Sequence, residues 1–80
     1  MIRIFIADDH AMFAEGLESL LTGEHDFDLI GKAGTAEETL RKVKAAPPDV
    51  LLLDINLPDQ SGLEVCRQLR ADLPDVKIMA

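Results

Sequence analysis

Carboxylates follow two apolar segments of the sequence, and their placement indicates shared chemistry. Asp8 and Asp9 come directly after the apolar segment Ile2–Ala7, and Asp54 closes the apolar run Val50–Leu53. If both segments are neighbouring strands of a parallel sheet, their carboxyl ends lie at one edge, where such sheets bind ligands. Three like charges at this edge repel one another unless a cation lies among them. An all-oxygen cluster with access to water suits Mg²⁺, so the three acids predict a magnesium site.

A purely structural role is the alternative for each of these acids. Asp8 or Asp9, directly before a helix, would serve as an N-cap or as a favourable charge at the positive end of the helix dipole. Asp54 is harder to explain in this way, because a carboxylate that closes a buried strand gains nothing from burial without a partner. The three acids taken together therefore favour the functional interpretation.

Strand and helix patterns alternate along the chain and would position these acids. Strands are predicted over residues 2–7, 27–33, 50–54 and 76–80. Helices are predicted over residues 11–21, after Thr35 as far as Pro47, and after Ser61 as far as Pro74. This alternation is typical of parallel βαβ units with right-handed crossovers. The predicted fold class is α/β, with helices on both faces of the sheet, the strand before Asp54 at its centre and the second strand at its edge.

Apolar periodicity also predicts which side chains face the core. The inward residues are expected to be Phe13, Leu17, Leu20 and Leu21 in the first helix; Ala36, Leu40 and Val43 in the second; Leu63, Cys66, Leu69 and Leu73 in the third; and Phe27, Leu29, Gly31 and Ala33 on one face of the second strand. Thr35 and Ser61 each precede a Glu by three residues, which is capping-box spacing and predicts that they cap the second and third helices.

The composition excludes several classes of function. The 80 residues carry 8 Lys and Arg against 15 Asp and Glu, a formal net charge of −7 at pH 7. Such a charge disfavours direct binding to nucleic acid or to an anionic membrane surface. No apolar run is long enough to span a bilayer and no secretory leader precedes the first strand, so the cytoplasm is the expected compartment. The single cysteine excludes an internal disulfide and a multi-cysteine zinc site.

The segment from Asp54 to Gly62 resembles a known motif. It reads D-I-N-L-P-D-Q-S-G and is similar to the phosphoacceptor segment D-x-x-M-P-x-x-[SD]-G of response-regulator receiver domains. Upstream, Ile6–His10 followed by Phe13–Leu17 resembles the opening of receivers that are joined to helix-turn-helix outputs of the NarL/LuxR type. The resemblance covers the whole chain in register. It implies a flavodoxin-like, doubly wound parallel sheet, of which residues 1–80 would be the N-terminal βαβαβαβ portion of a five-strand receiver.

The resemblance also implies a role for each candidate residue. Asp54 would accept a phosphoryl group from a sensor histidine kinase or a small acyl phosphate, so the chain would be a phosphoacceptor signalling domain rather than an enzyme. Asp9, Asp54 and the backbone carbonyl of Asn56 would bind Mg²⁺ directly, and Asp8 would act mainly through a bound water. Family receivers also use a Ser/Thr that ends the fourth strand and a Lys that ends the fifth, positions beyond residues 1–80. DNA would be contacted only through an output domain that follows.

An incomplete receiver would leave an apolar sheet edge and one flank of the core open. We therefore expect either a longer molecule or a homodimer, including one formed by element exchange. Two other functions stay open: a receiver-like interaction module that works without phosphorylation, and a Mg²⁺-dependent phosphohydrolase with Asp54 as nucleophile. The hydrolase pattern would need a second acid at the position of Asn56. His10 is expected to be an exposed loop histidine rather than a transition-metal ligand.

Overall fold

Strands and helices alternate as the sequence predicts in the computed structural model of the chain, which describes residues 1–23 and 25–79. Within these ranges the elements are β1 (Ile2–Ala7), α1 (Ala11–Thr22), β2 (Phe27–Ala33), α2 (Ala36–Ala45), β3 (Val50–Leu53), α3 (Gly62–Asp72) and β4 (Lys77–Met79). The predicted end of the last strand at Ala80 lies outside the described residues. None of the helices described is both long and apolar enough to cross a membrane.

The four strands described form one parallel sheet in the order β2-β1-β3-β4. The prediction that β3 is central and β2 lies at an edge is confirmed. β1 and β3 are direct neighbours, and their register places Ala7 beside Leu53. The N–H of Asp54 donates to the carbonyl of Ala7 at 2.8 Å, and the N–H of Asp8 donates to the carbonyl of Ala33 at 2.9 Å. The backbone therefore fixes both acids at the carboxyl edge of the sheet.

Helices cover both faces of the sheet, as predicted. α2 and α3 pack on one face over a buried apolar cluster, and α1 packs on the other face through Leu17 and Leu21. The first cluster consists of Phe5, Ala7, Ala33, Ala36, Val43, Leu51, Leu53, Leu57, Val65 and Leu69. The α1 side is centred on Ile4 and Ile6. Each large apolar side chain that is fully buried stabilises the fold by roughly 1.5–3 kcal/mol.

The predicted core face of α3 is wrong at its first position. Leu63 is 67% exposed, whereas Val65 is fully buried. The buried stripe runs through Gly62, Val65 and Leu69, which follow one another at spacings of three and four residues. Leu63 lies about 100° of helical rotation from Gly62 and therefore points away from this stripe. Cys66 packs at the margin of the core and is only partly buried.

The predicted core face of α1 is confirmed at two positions and wrong at a third. Leu17 and Leu21 lie four residues apart and pack against the sheet. Leu20 is 71% exposed. Leu20 lies about 100° of helical rotation from Leu21 and therefore points away from the sheet. The expected inward position of Phe13 lies outside the side chains that the structure describes.

The prediction that four residues of β2 share one face is also wrong. The register of β2 against β1 slips by one residue after Leu29. Phe27 and Leu29 consequently pack on the α1 side, whereas Ala33 belongs to the cluster under α2 and α3. Side chains alternate along a strand, so one extra residue reverses the orientation of every position that follows. Gly31 accommodates the ring of Phe5, because a Cβ at Gly31 would lie 2.8 Å from a ring carbon.

Both predicted helix caps are confirmed. The Oγ1 of Thr35 accepts the N–H of Glu38 at 3.1 Å, and the Oγ of Ser61 accepts the N–H of Leu63 at 3.2 Å. A cap of this type contributes about 1 kcal/mol to stability. The two caps start α2 and α3 directly after the loops that form the carboxyl edge of the sheet.

The opposite end of the sheet is held by Asp49. Its carboxylate accepts the N–H of Arg3 at 2.8 Å, and the Nε of the same arginine lies 3.5 Å away. The backbone hydrogen bond is the main cause, and the guanidinium a further one, of a pKa of Asp49 that lies below its ordinary value of 3.8.

We expect the stability that Asp49 contributes to disappear at low pH. Because the pKa of Asp49 is lower in the folded than in the unfolded chain, this contribution is complete above the unfolded value and is lost as the pH falls through the folded value. The urea midpoint should therefore fall further in the native chain than in Asp49→Asn between about pH 6 and about pH 3. Equal falls in the two proteins would contradict the assignment.

Candidate functional site

Asp8, Asp9, His10 and Asp54 form one cluster at the carboxyl edge of the sheet. One possible ligand atom from each residue lies within 4.8 Å of the others. The structure thus brings together all three acids that the sequence singled out. They meet because β1 and β3 are adjacent, parallel and in register at their ends.

The two carboxylate oxygens of Asp54 have different environments. Oδ1 accepts the N–H of Asn56 at 2.9 Å, which fixes the rotation of the carboxylate. Oδ2 is buried and has no hydrogen-bond partner among the residues that the structure describes. The side chain as a whole is 16% exposed. A buried carboxylate oxygen without a donor is costly, so Oδ2 is the atom of the cluster with the greatest need of a cation.

His10 lies over the acids. Its Nδ1 is 2.9 Å from Asp8 Oδ1, 3.2 Å from Asp9 Oδ1 and 3.5 Å from Asp54 Oδ2. The hydrogen bond with Asp8 and then the charge of Asp9 raise the pKa of His10 above its ordinary value. The side chain is 68% exposed, as expected of a loop histidine. Its contact with all three acids is a feature that the sequence signalled only through its position next to Asp8 and Asp9.

The start of α1 shows whether Asp8 or Asp9 serves as the N-cap of this helix. The N-cap residue of α1 is His10, whose side chain makes no capping hydrogen bond. Asp8 Oδ1 accepts the N–H of His10 at 2.8 Å. Neither Asp8 nor Asp9 is therefore the N-cap of α1.

The donor set fits a divalent cation that prefers oxygen ligands. Asp8, Asp9 and Asp54 offer carboxylates, and the backbone of Asn56 is held directly beside Asp54. Asp9 and His10 are exposed, so water has access to the cluster. Mg²⁺ typically binds to a few carboxylates and keeps several waters, which matches a cluster that is open on one side.

The loop between β3 and α3 packs closely against Asp54. The N–H of Gly62 donates to the carbonyl of Ile55 at 2.9 Å, and Asn56 and Ser61 form an isolated β-bridge across the loop. A Cβ at Gly62 would collide with the carbonyl oxygen of Asp54 and lie 2.6 Å from the Cα of Ile55. The start of α3 is thus in close contact with the backbone of Asp54.

Two features near the site were not predicted in detail. Asp59, in the same loop, hydrogen-bonds to the N-terminus of α2, and no local pattern in the sequence signals that contact. An apolar cavity of about 870 Å³ opens beside Asp54 on the α1 side, between Leu17, Leu52 and Met79.

Comparison with known proteins gives the same class as the fold and the site. Residues 4–80 match the family described as the response regulator receiver domain. The chain therefore belongs to the response-regulator receiver domains, which act in two-component signalling. This confirms the resemblance that the segment after Asp54 indicated, and the parallel sheet confirms the flavodoxin-like fold class.

Individual relatives are regulators of transcription. The chain is 40% identical over 79 residues to the DNA-binding transcriptional activator DevR/DosR of Mycobacterium tuberculosis, covering 99% of this chain and 36% of that protein. It is 38% identical over 78 residues to the transcriptional regulatory protein DegU of Brevibacillus brevis, covering 98% of this chain and 33% of that protein. The chain spans about a third of the length of these relatives.

Solved structures of response regulators have the same fold as this chain. A LuxR-family two-component response regulator from Aurantimonas sp. SI85-9A1 superposes with a TM-score of 0.89 at 28% identity, covering 98% of this chain and 56% of that one. The receiver domain of AraT, a response regulator from Geobacillus stearothermophilus, superposes with a TM-score of 0.86 at 31% identity. The match covers 96% of this chain and 60% of that one.

Proposed function

We propose that this receiver accepts a phosphoryl group on Asp54 from a sensor histidine kinase, in a Mg²⁺-dependent reaction that controls a transcriptional output. The observation that carries the proposal is Asp54 Oδ2, a buried oxygen without a hydrogen-bond partner among the described residues, set in a cluster of acids. Membership of the receiver family supports the same role.

The described geometry suits Asp54 as a nucleophile. The N–H of Asn56 holds Oδ1 and so fixes the rotation of the carboxylate. In the proposed transfer, one carboxylate oxygen of Asp54 forms a bond to phosphorus while the bond from phosphorus to the kinase histidine nitrogen breaks, and the other oxygen stays available to the cation. A carboxylate needs no prior loss of a proton for this attack, and the resulting acyl phosphate is labile enough to be reset.

Three ligands would hold the cation in this proposal: Asp9, Asp54 and the backbone carbonyl of Asn56, with Asp8 acting through a bound water. When bound, Mg²⁺ would offset the charge on the carboxylate and phosphoryl oxygens, which is most of what such a transfer requires. The backbone of the chain holds the carboxylates in place for this cation. Asp8 and Asp54 are fixed by backbone hydrogen bonds to neighbouring strands, so the carboxylates meet without reorganisation of the sheet.

The output is proposed to lie outside residues 1–80. DevR/DosR is described as DNA-binding, and the chain covers 36% of that protein. The net charge of −7 disfavours contact between this chain and DNA, so a separate helix-turn-helix domain in the same cytoplasmic protein would make that contact. The apolar cavity beside Met79 supports the expectation that a further segment or a second copy of the chain covers the sheet at this point.

Intact mass measurement tests the acceptor directly. After incubation with acetyl phosphate and Mg²⁺, the native chain should gain the mass of one phosphoryl group and Asp54→Asn should gain none. Asp28→Asn, which removes an exposed charge from β2, is the matched control and should behave as the native chain does. Equal labelling of Asp54→Asn would show that another residue is the acceptor and would refute the proposal.

The two alternative functions give different results. A phosphohydrolase would turn over a general phosphatase substrate, and this turnover would stop in Asp54→Asn. An interaction module would bind its partner equally well in the native chain and in Asp54→Asn, with or without acetyl phosphate. A receiver of the proposed kind shows no sustained turnover, and its partner binding depends on Asp54.

A further inference from the structure

Asp59 makes contacts outside its own loop. It lies between β3 and α3, and its carboxylate reaches the first turn of α2. Oδ1 accepts the N–H of Ala36 at 2.7 Å, and Oδ2 accepts the N–H of Glu37 at 3.0 Å. These two residues are 23 and 22 positions away in the sequence. Asp59 therefore joins two segments that are distant in the chain.

The contact is a strong one for an exposed residue. The first N–H groups of a helix have no partner within the helix and carry a partial positive charge. Thr35 satisfies the N–H of Glu38, and Asp59 satisfies the N–H groups of Ala36 and Glu37. Hydrogen bonds to an ionised carboxylate are about twice as strong as neutral ones. The same two bonds lower the pKa of Asp59, so the carboxylate is ionised near neutral pH.

The contact spans the two halves of the candidate site. The loop that contains Asp59 also contains Asn56, and its other described hydrogen bonds are made within the loop, to Asp54 or to the start of α3. On the other side, α2 follows β2, whose last residue, Ala33, accepts the N–H of Asp8 at 2.9 Å. Asp59 thus links the segment that carries Asn56 to the segment that anchors Asp8.

We infer that Asp59 is a positioning residue, which holds the loop after β3 against α2 and thereby sets the affinity of the acid cluster for Mg²⁺. The inference rests on the proposed function, because it concerns the same cation. Without Asp59 the loop keeps its internal hydrogen bonds but loses its tie to α2. The backbone of Asn56 is then held only by its N–H bond to Asp54 and by the burial of Leu57 next to it, so its place relative to Asp9 is less firmly set.

Calorimetric titration of the full chain with Mg²⁺ tests this role. Asp59→Ala should weaken Mg²⁺ binding by about tenfold, the lower end of what loss of an outer partner of a metal site costs. Asp59→Asn keeps one carbonyl oxygen and should give an intermediate loss. Thr35→Ala is the matched control, because it removes a cap from the same helix without cutting the tie to the loop. Mg²⁺ affinity in Thr35→Ala should stay close to that of the native chain.

The possible outcomes separate the inference from the function on which it rests. Native affinity in Asp59→Ala would overturn the inference, and so would an equal loss in Thr35→Ala, which would show that Asp59 is a helix cap and nothing more. Absence of Mg²⁺ binding in the native chain would overturn the proposed function as well. Should Asp59→Ala fail to fold, the intermediate affinity expected of Asp59→Asn decides the question alone.

Discussion

Replacement of Gly62 by alanine is expected to lower the free energy of unfolding by about 3 kcal/mol, the upper end of the usual cost of overpacking. The added Cβ would collide with the carbonyl oxygen of Asp54 and lie 2.6 Å from the Cα of Ile55. Both contacts are with backbone, which cannot turn aside as a side chain does. A domain of this length has a total stability of roughly 4–12 kcal/mol, so the loss would be a large fraction of it.

Gly16→Ala is the control for the Gly62→Ala variant. Gly16 lies in α1, and a Cβ there would meet nothing within 4 Å. Alanine should stabilise this helix by about 0.5–1 kcal/mol, because glycine is the poorer helix former. Urea unfolding of both variants gives the comparison. A Gly62→Ala protein as stable as the native chain would show that the start of α3 does not press on Asp54.

Addition of Mg²⁺ is expected to raise the melting temperature of the chain by about 10–20 °C at a concentration near 100 times its Kd. A ligand that binds only the folded chain adds about 2.7 kcal/mol of stability at that concentration. The physical reason in this protein is the acid cluster, in which Asp54 Oδ2 is buried without a donor among the described residues. Calorimetry or circular dichroism with and without a chelator measures the shift.

Two variants and a salt control isolate the cause of this shift. Asp9→Asn should remove most of the rise, since it takes a carboxylate from the cluster, whereas Asp28→Asn on the exposed side of β2 should keep it. Sodium chloride at equal ionic strength should produce a much smaller shift, because it only screens the charges. A native chain whose melting temperature does not respond to Mg²⁺ would contradict the metal assignment.

The residues of the phosphoacceptor segment have separate physical tasks. Asp54 follows the central strand and carries an oxygen that has no hydrogen-bond partner among the described residues. Gly62 lets α3 start against the backbone of Asp54. Leu57, at a position where methionine is commoner in the motif, is 7% exposed and belongs to the core under α2 and α3. Leucine is apolar and similar in volume to methionine, so Leu57 fills the same space in the core and still holds the loop against it.

Local patterns in the sequence were sufficient for the order of elements and for the acid cluster. Apolar β-branched segments, helical periodicity and the caps at Thr35 and Ser61 depend on neighbours within a few residues, and each of these elements is present. The meeting of Asp8, Asp9 and Asp54 also followed from the sequence. Parallel strands end at one edge, so two strands that both end in acids bring those acids together once they are neighbours.

The tertiary structure alone decided the features that depend on distant residues. The register of β2 slips after Leu29 because of how β2 pairs with β1. Strict alternation had placed Ala33 on the same face of the strand as Phe27, and the slip places it on the opposite face. The exposure of Leu63 follows from how α3 lies on the sheet, with Val65 in the core. The bond from Asp59 to α2 joins residues more than 20 positions apart. Sequence periodicity reports only local geometry, whereas register, helix rotation and long-range hydrogen bonds are fixed when the elements pack together.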